Sequence, residues 1–274
     1  NLPVIVKPVM TSSGHGTTIV KDVSQLEDVY EHALSHARGR GDEVIVERYL
    51  PQLATVGTEV TQIAVRHFDE NKKIVTSVAP PVEHKRPGAT FHESWLPANI
   101  SDRAKQTCQE CARRIAEYIG GLGVFALELF VVEDVVYNNE VANRPHDTGM
   151  ITRWMLNMDE GAMMLFSTIG LPITPFDLKL SRSGYGVAHV VLAPNLADEG
   201  SHRVKRFDAN RIRTYITKKG YDGDVWYFGK PDAYSGRRMG LAVGFDSNVG
   251  AARKIAEDIA HLAEESIEID NALG

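Results

Sequence analysis

The sequence predicts a mixed α/β protein of the α+β kind, in which strands pair with their near neighbours around a few long helices. Three observations carry that expectation. Two strand–turn–strand segments recur, 58–66 with 74–79 across Asp69-Glu70-Asn71, and 124–132 with 135–141 across Glu133-Asp134. Two helical stretches end at glycines, 101–119 at Gly120-Gly121 and 159–169 at Gly170 with Pro172 beyond. The chain shows neither a regular strand–helix–strand series nor an internal repeat.

The elements follow in order. A short strand at 4–7 runs into a turn-rich stretch at 10–16, and a second strand follows at 17–20. The next helix is expected to open with a capping box, Ser24 with Glu27. It carries the apolar residues Leu26, Val29, Tyr30, Ala33, Leu34 and Ala37 at helical spacing and is expected to stop at Gly39 and Gly41. A strand at 43–47 completes a small α/β unit. The last part carries strands near 187–192, 225–228 and 239–245 and an Ala-rich helix over 249–263. Boundaries are expected after residues 46 and 170. Because Asn1-Leu2-Pro3 leads straight into a strand without a cap of its own, a further N-terminal portion of the fold is expected.

Composition narrows the function. With 43% hydrophobic and 24% charged residues the 274-residue chain is an ordinary globular protein. A net charge of −6 and a pI near 5.9 exclude a general nucleic-acid binder, which needs a basic face for phosphate backbones. No apolar run is long enough for a membrane span and no signal peptide opens the sequence. Cys108 and Cys111 form a lone CxxC within a helical pattern, expected as buried structural thiols of a cytoplasmic protein.

Three groups of residues point to chemistry. Ser12, Ser13, Gly14, His15, Gly16 and Thr17 form a glycine-rich loop between two strands, where backbone N–H groups can approach a phosphate closely. Lys7 can add a full positive charge to the same anion. Glu128 interrupts an apolar strand and Glu140 ends the next one; Mg²⁺ would compensate such carboxylates and fill its shell with phosphate oxygens. A regular two-residue turn at Glu133-Asp134 puts the two glutamates on opposite sheet faces, so a bulge near Asn138-Asn139 or a longer loop is predicted to bring them together. After Glu140 comes the polar loop Ala142-Asn143-Arg144-Pro145-His146-Asp147-Thr148-Gly149. There Asp147 could hold an amine and Arg144 could neutralise a phosphate or acyl oxyanion.

Together these segments resemble the ATP-grasp superfamily, and within it the formate-dependent phosphoribosylglycinamide formyltransferases. The match lies in Ile5-Val6-Lys7-Pro8-Val9-Met10 with Ser12-Ser13-Gly14, Val44-Ile45-Val46-Glu47, His92-Glu93-Ser94-Trp95, and Glu128-Leu129-Phe130-Val131. It continues in Arg144-Pro145-His146-Asp147-Thr148-Gly149-Met150, and in Phe228-Gly229-Lys230-Pro231 with Gly236-Arg237-Arg238. The resemblance implies an ATP-grasp fold: a partial lid at 1–46, a catalytic core at 47–170, and a C-terminal subdomain at 171–274 that completes the substrate site. The resemblance implies a further N-terminal substrate-binding domain that these residues do not include. It implies that Lys7 and the 12–17 loop hold ATP phosphates, that Glu47, Arg48, Tyr49 and Leu50 meet adenine, and that Glu59 takes the ribose hydroxyls. Glu128 and Glu140 would bind Mg²⁺, while Asp147, Lys230, Arg237 and Arg238 would bind the ribonucleotide and Arg144 would stabilise charge. Formate and glycinamide ribonucleotide are the implied substrates, and a homodimer the implied assembly.

The chain also departs from the family. His15 stands where a lysine is usual, Ala142 where a polar metal ligand is common, and Asn143 at a usual proline position. The stretch from Glu83 to Ala89 also differs. Two alternatives therefore stay open: an ATP-grasp ligase that joins another acid, such as bicarbonate, to a ribonucleotide amine, and a nucleotide-binding module without turnover.

Overall fold

The computed structural model describes residues 2–11, 14–39, 42–86, 91–194 and 200–270. The chain divides into two compact units, residues 1–57 with 86–90, and the remainder.

In the first unit, β1 (Val4–Pro8) is the centre of a three-stranded antiparallel sheet, between β2 (Thr18–Val20) and β3 (Val44–Arg48). One face of this sheet carries Val6 and Val20, which pack on Val29 and Ala33 of helix α1 (Leu26–Ser35). The helix opens differently from expectation. Asp22, not Ser24, is the cap: it accepts the Ser24 N–H at 2.9 Å, and Gln25 reaches back to the Asp22 N–H at 3.0 Å. Ser24 instead donates its hydroxyl to Asp22. An aspartate two residues earlier makes the box, so a 3₁₀ turn precedes α1. β3 runs across the boundary expected after residue 46.

The second unit is built on a nine-stranded sheet. Its members are β4 (Gly57–Phe68), β5 (Ile74–Val78), β6 (Val82–Lys85), β7 (Glu93–Leu96), β8 (Gly123–Val132), β9 (Val135–Ala142), β10 (Tyr185–Leu192), β12 (Gly223–Tyr227) and β14 (Arg238–Asp246). They lie in the order β12-β14-β10-β7-β6-β4-β8-β9, with β5 paired to the far half of β4. The sheet passes through the boundary expected after residue 170 because β10 pairs directly with β7. A small sheet of β11 (His202–Phe207), β13 (Asp232–Ala233) and β15 (Ile267–Ile269) lies apart from it.

Helices cover the large sheet for reasons visible in their side chains. α2 (Asp102–Ile119) is capped by Ser101, whose hydroxyl accepts the Ala104 N–H at 3.0 Å, and ends at Gly120. Ala104, Cys108, Ala112 and Ala116, four residues apart, make one small-residue face that lies against Phe125, Leu127, Leu129 and Val131 of β8. Burial pushes the Cys108 thiol up to about 12 and raises that of the half-buried Cys111, which favours the protonated thiol over the reactive thiolate, and both are free. The short α3 (Thr152–Met155) and α4 (Glu160–Ile169) close the core around Ile63, Leu96, Ile151 and Met163. Finally α5 (Ala209–Lys219) and α6 (Val249–Glu265) pack with β12 and β14 around Ile212, Met239 and Ile259. No helix among the described residues is long and apolar enough to cross a membrane.

Candidate functional site

In the first unit the residues expected to meet ATP are drawn together by sheet register. Ile5 pairs with Glu47, so Lys7, two residues along, shares the face of Glu47. Their charged groups meet at 2.7 Å. Arg48 ends β3 opposite Val4, and Tyr49 and Leu50 lead into a 3₁₀ turn at Pro51–Ala54. The glycine-rich loop closes with the Thr17 N–H donating to the Gly14 carbonyl at 3.1 Å. Ser12 and Ser13 lie outside the described residues. Gly16 has φ +77°, and a Cβ there would stand 2.8 Å from His36 Cβ and 2.9 Å from Pro8 Cγ. The glycine is thus required by packing as well as by backbone sign. His15 lies parallel to His36, with ring centroids 6.5 Å apart.

In the second unit β8 and β9 decide the geometry. The turn at Glu133-Asp134 is a two-residue one, with Val132 opposite Val135 and Leu129 opposite Asn138. Between Glu128 and Leu129 the register shifts, and Glu128 pairs with Glu140. Asn139 is therefore the additional residue of a bulge, at the position the parity argument requires, and both carboxylates project from one face. Leu127, Leu129 and Val131 take the other face, under α2.

Glu128 is compensated by a neighbour that the sequence did not single out. His146 Nε2 lies 3.0 Å from Glu128 Oε1, and its Nδ1 lies 2.9 Å from Thr148 Oγ1 and 3.3 Å from Asp147 Oδ1. Thr148 in turn donates to Thr61 Oγ1 on β4 at 2.6 Å. His146 is buried, so this chain of bonds fixes the loop against the sheet. Asp147 makes an ion pair with Arg238, 91 residues further on. Lys230 donates to the Arg238 carbonyl at 2.6 Å, and burial, followed by the charges of Arg237 and Arg238, lowers its pKa. Asp147, Lys230 and Arg238 are thus one group.

Arg237 and Arg144 are placed otherwise. Arg237, in the turn that leads into β14, donates to the Asp232 carbonyl at 2.8 Å and lies over Tyr234. Arg144 is exposed and donates to the neighbouring Pro145 carbonyl at 2.9 Å. Glu59 faces His84 across β4 and β6, 3.4 Å from its Nδ1.

Beneath the loop lies Glu160, which is buried and accepts the His146 N–H at 2.9 Å. Desolvation pushes its carboxyl up to about 8, with the His146 hydrogen bond opposing and Asp159 and Asp147 reinforcing the rise. As an acid at the first position of a helix it reads in sequence as a partner of the helix dipole, which concealed its burial.

The residues fit a divalent cation that brings ligands with it. Among the described residues no group of three or more His, Cys, Asp or Glu side chains could hold a metal ion alone. Ala142, which pairs with Ala126, adds no donor. Two in-register carboxylates with the remaining oxygens supplied by phosphates suit Mg²⁺.

A model of the ATP-grasp domain matches residues 1–160. The chain belongs to the ATP-grasp family. This ATP-grasp chain is 38% identical over 268 residues to the formate-dependent phosphoribosylglycinamide formyltransferase of Pyrococcus horikoshii, covering 96% of itself and 59% of that protein. The protein of the same name from Syntrophotalea carbinolica is 40% identical over 259 residues, 94% of this chain and 60% of the other. The ATP-grasp chain thus spans about three fifths of the length of these curated relatives.

Solved structures share the fold. N5-carboxyaminoimidazole ribonucleotide synthetase from Thermus thermophilus superposes with a TM-score of 0.70 at 22% identity, over 96% of this chain and 62% of that one. Transformylase T from Mycobacterium tuberculosis gives 0.65 at 22%, over 95% and 60%.

Proposed function

We propose that the protein transfers a formyl group from formate to the amine of glycinamide ribonucleotide, using ATP and Mg²⁺, in the cytoplasm. What supports this most is the company of Asp147: its carboxylate meets Arg238 on one side, and beside it His146 meets Glu128, which is in register with Glu140. An amine-holding group, basic groups for a substrate phosphate and a pair of carboxylates for a metal thus share one unit. The similarity to formyltransferases, which includes the segment from Arg144 to Met150, points the same way.

In this reading Lys7 and the 14–17 turn, with Ser12 and Ser13, bind the phosphates of ATP. Glu47 accepts from the adenine amino group, Arg48, Tyr49 and Leu50 line the base, and Glu59 accepts from ribose. Glu128 and Glu140 would hold Mg²⁺, which when bound neutralises charge on the triphosphate. A formate oxygen attacks the γ-phosphorus, ADP leaves, and the product is formyl phosphate. The amine of the ribonucleotide, oriented by Asp147, attacks the formyl carbon; phosphate leaves and the nitrogen loses a proton. Lys230, Arg237 and Arg238 bind the ribonucleotide, and Arg144 faces the oxyanion as the carbonyl is attacked. No side chain becomes covalently modified; the protein contributes orientation and charge.

The test is release of ADP by the complete polypeptide, with product mass measured. Release that requires both formate and glycinamide ribonucleotide, with a formylated product, is expected. Release driven by bicarbonate or another acid, or nucleotide binding with no release, overturns the assignment.

A further inference from the structure

Four hydrogen bonds beneath the 144–149 loop form a closed circuit. The Glu160 N–H donates to Thr152 Oγ1 at 3.1 Å, and that hydroxyl donates to the Gly149 carbonyl at 2.6 Å. The Gly149 N–H donates to the His146 carbonyl at 2.9 Å, and the His146 N–H returns to the Glu160 carboxyl at 2.9 Å. Glu160 both starts and ends the circuit, through its main chain and its side chain. The fit is close: a Cβ on Gly149 would stand 2.3 Å from Glu160 Oε2 and 2.9 Å from Ile63 Cδ1. Asp159 fixes the start of α4 by accepting the Ala162 N–H at 2.8 Å.

The residue clamped at His146 is the one whose ring contacts Glu128 and Asp147. We propose that Glu160 is a positioning residue: by holding the main chain at His146 it sets the direction of the imidazole, and through it the places of Glu128 and Asp147. The inference rests on the proposed acyl transfer for its kinetic consequences but not for its structural ones. Glu160 acts through the main chain of the loop, by the N–H it accepts from His146.

The circuit needs an acceptor at Glu160, not a charge. Glu160 is faced by Asp147 and Arg144 from the loop, by Asp159 from its own helix, and by the His146 N–H. A neutral carboxyl or a carboxamide can fill this position, and the raised pKa of Glu160 agrees.

The test compares Glu160→Gln with Glu160→Leu in the complete polypeptide. Gln keeps the acceptor and should leave the amine KM within about twofold at pH 7, whereas Leu should raise it and lower kcat/KM by about 10- to 100-fold, the scale of a small misplacement. Should Leu prevent folding, Thr152→Val opens the circuit at another bond and should move the same parameters in the same direction. Hydrogen exchange at residues 146–149 gives a readout free of turnover: protection is kept in Gln and lost in Leu or Val. Wild-type protein inactive with formate overturns the proposed function and leaves this exchange comparison standing. Equal exchange and equal KM in all variants overturns the positioning role.

Discussion

Glu128 and Glu140 are directly opposite each other, yet their surroundings differ. Glu128 is nearly enclosed and paired with His146, whereas Glu140 is exposed. Like charges paired across strands repel by about 0.2–1 kcal/mol, so Glu140→Gln should slightly stabilise the metal-free protein. The same change should abolish Mg²⁺-dependent ATP turnover and the gain in melting temperature given by Mg²⁺ with ATP. Thermal shifts with and without both ligands check this; an unchanged ligand shift removes Glu140 from the metal site. The pairing was legible because strand parity is strict: a two-residue turn leaves only a bulge to align these positions. His146 was legible as part of a motif but not in its role, since beyond its own loop its partners are Glu128 on β8 and Glu160 at the start of α4.

Glu160 gives a second prediction at this scale, with a definite sign. Its folded pKa of about 8 lies above the ordinary value of 4.5, so the unfolded chain loses this proton first. Between those values the folded state binds more protons, and stability from this group falls as pH rises from about 4.5 to 8, then levels off. Glu160→Gln removes that loss. Its stabilisation should therefore grow between pH 5 and pH 8, reaching about 1–3 kcal/mol, within a ceiling of about 5 kcal/mol from the full shift. Denaturant titrations at the two pH values measure it; an advantage that is larger at pH 5 contradicts the assignment of Glu160 as the buried acid.

At the scale of elements, α2 shows why some of the fold could be read from sequence and some could not. Its cap at Ser101, its stop at Gly120 and its stripe of small residues are all local signals, and the helix is where they put it. β6 and β7 were missed because each has four residues, and in β7 all four are buried, which leaves no alternation to read. β11 and α5 were missed as well, with an interleaving of charged and apolar residues that resembles a loop until tertiary packing selects Ile212. The small-residue stripe carries its own consequence. Ala112 is fully buried against β8, so Ala112→Leu must push α2 away from the strand that presents Glu128. A loss of about 1–3 kcal/mol is expected, with no new stabilising contact in compensation. A chevron or equilibrium melt checks it; a neutral effect means the helix does not lie as close as its alanines imply.

For the molecule as a whole, the relevant fact is two cores of unequal size. Among the described residues the cluster of the first unit has four buried members, Val6, Val20, Val29 and Ala33, while the second unit is organised by a continuous nine-stranded sheet with several clusters. Small cores bury too little apolar surface to hold a unit firmly, so opening of the first unit should cost less than global unfolding. That suits a unit whose proposed task is to receive a nucleotide. Deleting two methyl groups from its centre should widen the gap: Val20→Ala costs on the order of 1–3 kcal/mol, a large fraction of what so small a core supplies. Hydrogen exchange should then accelerate in β1, β2 and α1 while β8, β10 and β14 keep wild-type protection. ATP with Mg²⁺ should restore protection to the first unit, because a ligand that binds only the closed form stabilises it by mass action. If β10 and β14 lose protection in step with β1, the two units unfold as one, and the proposal of a separately yielding nucleotide-binding unit fails.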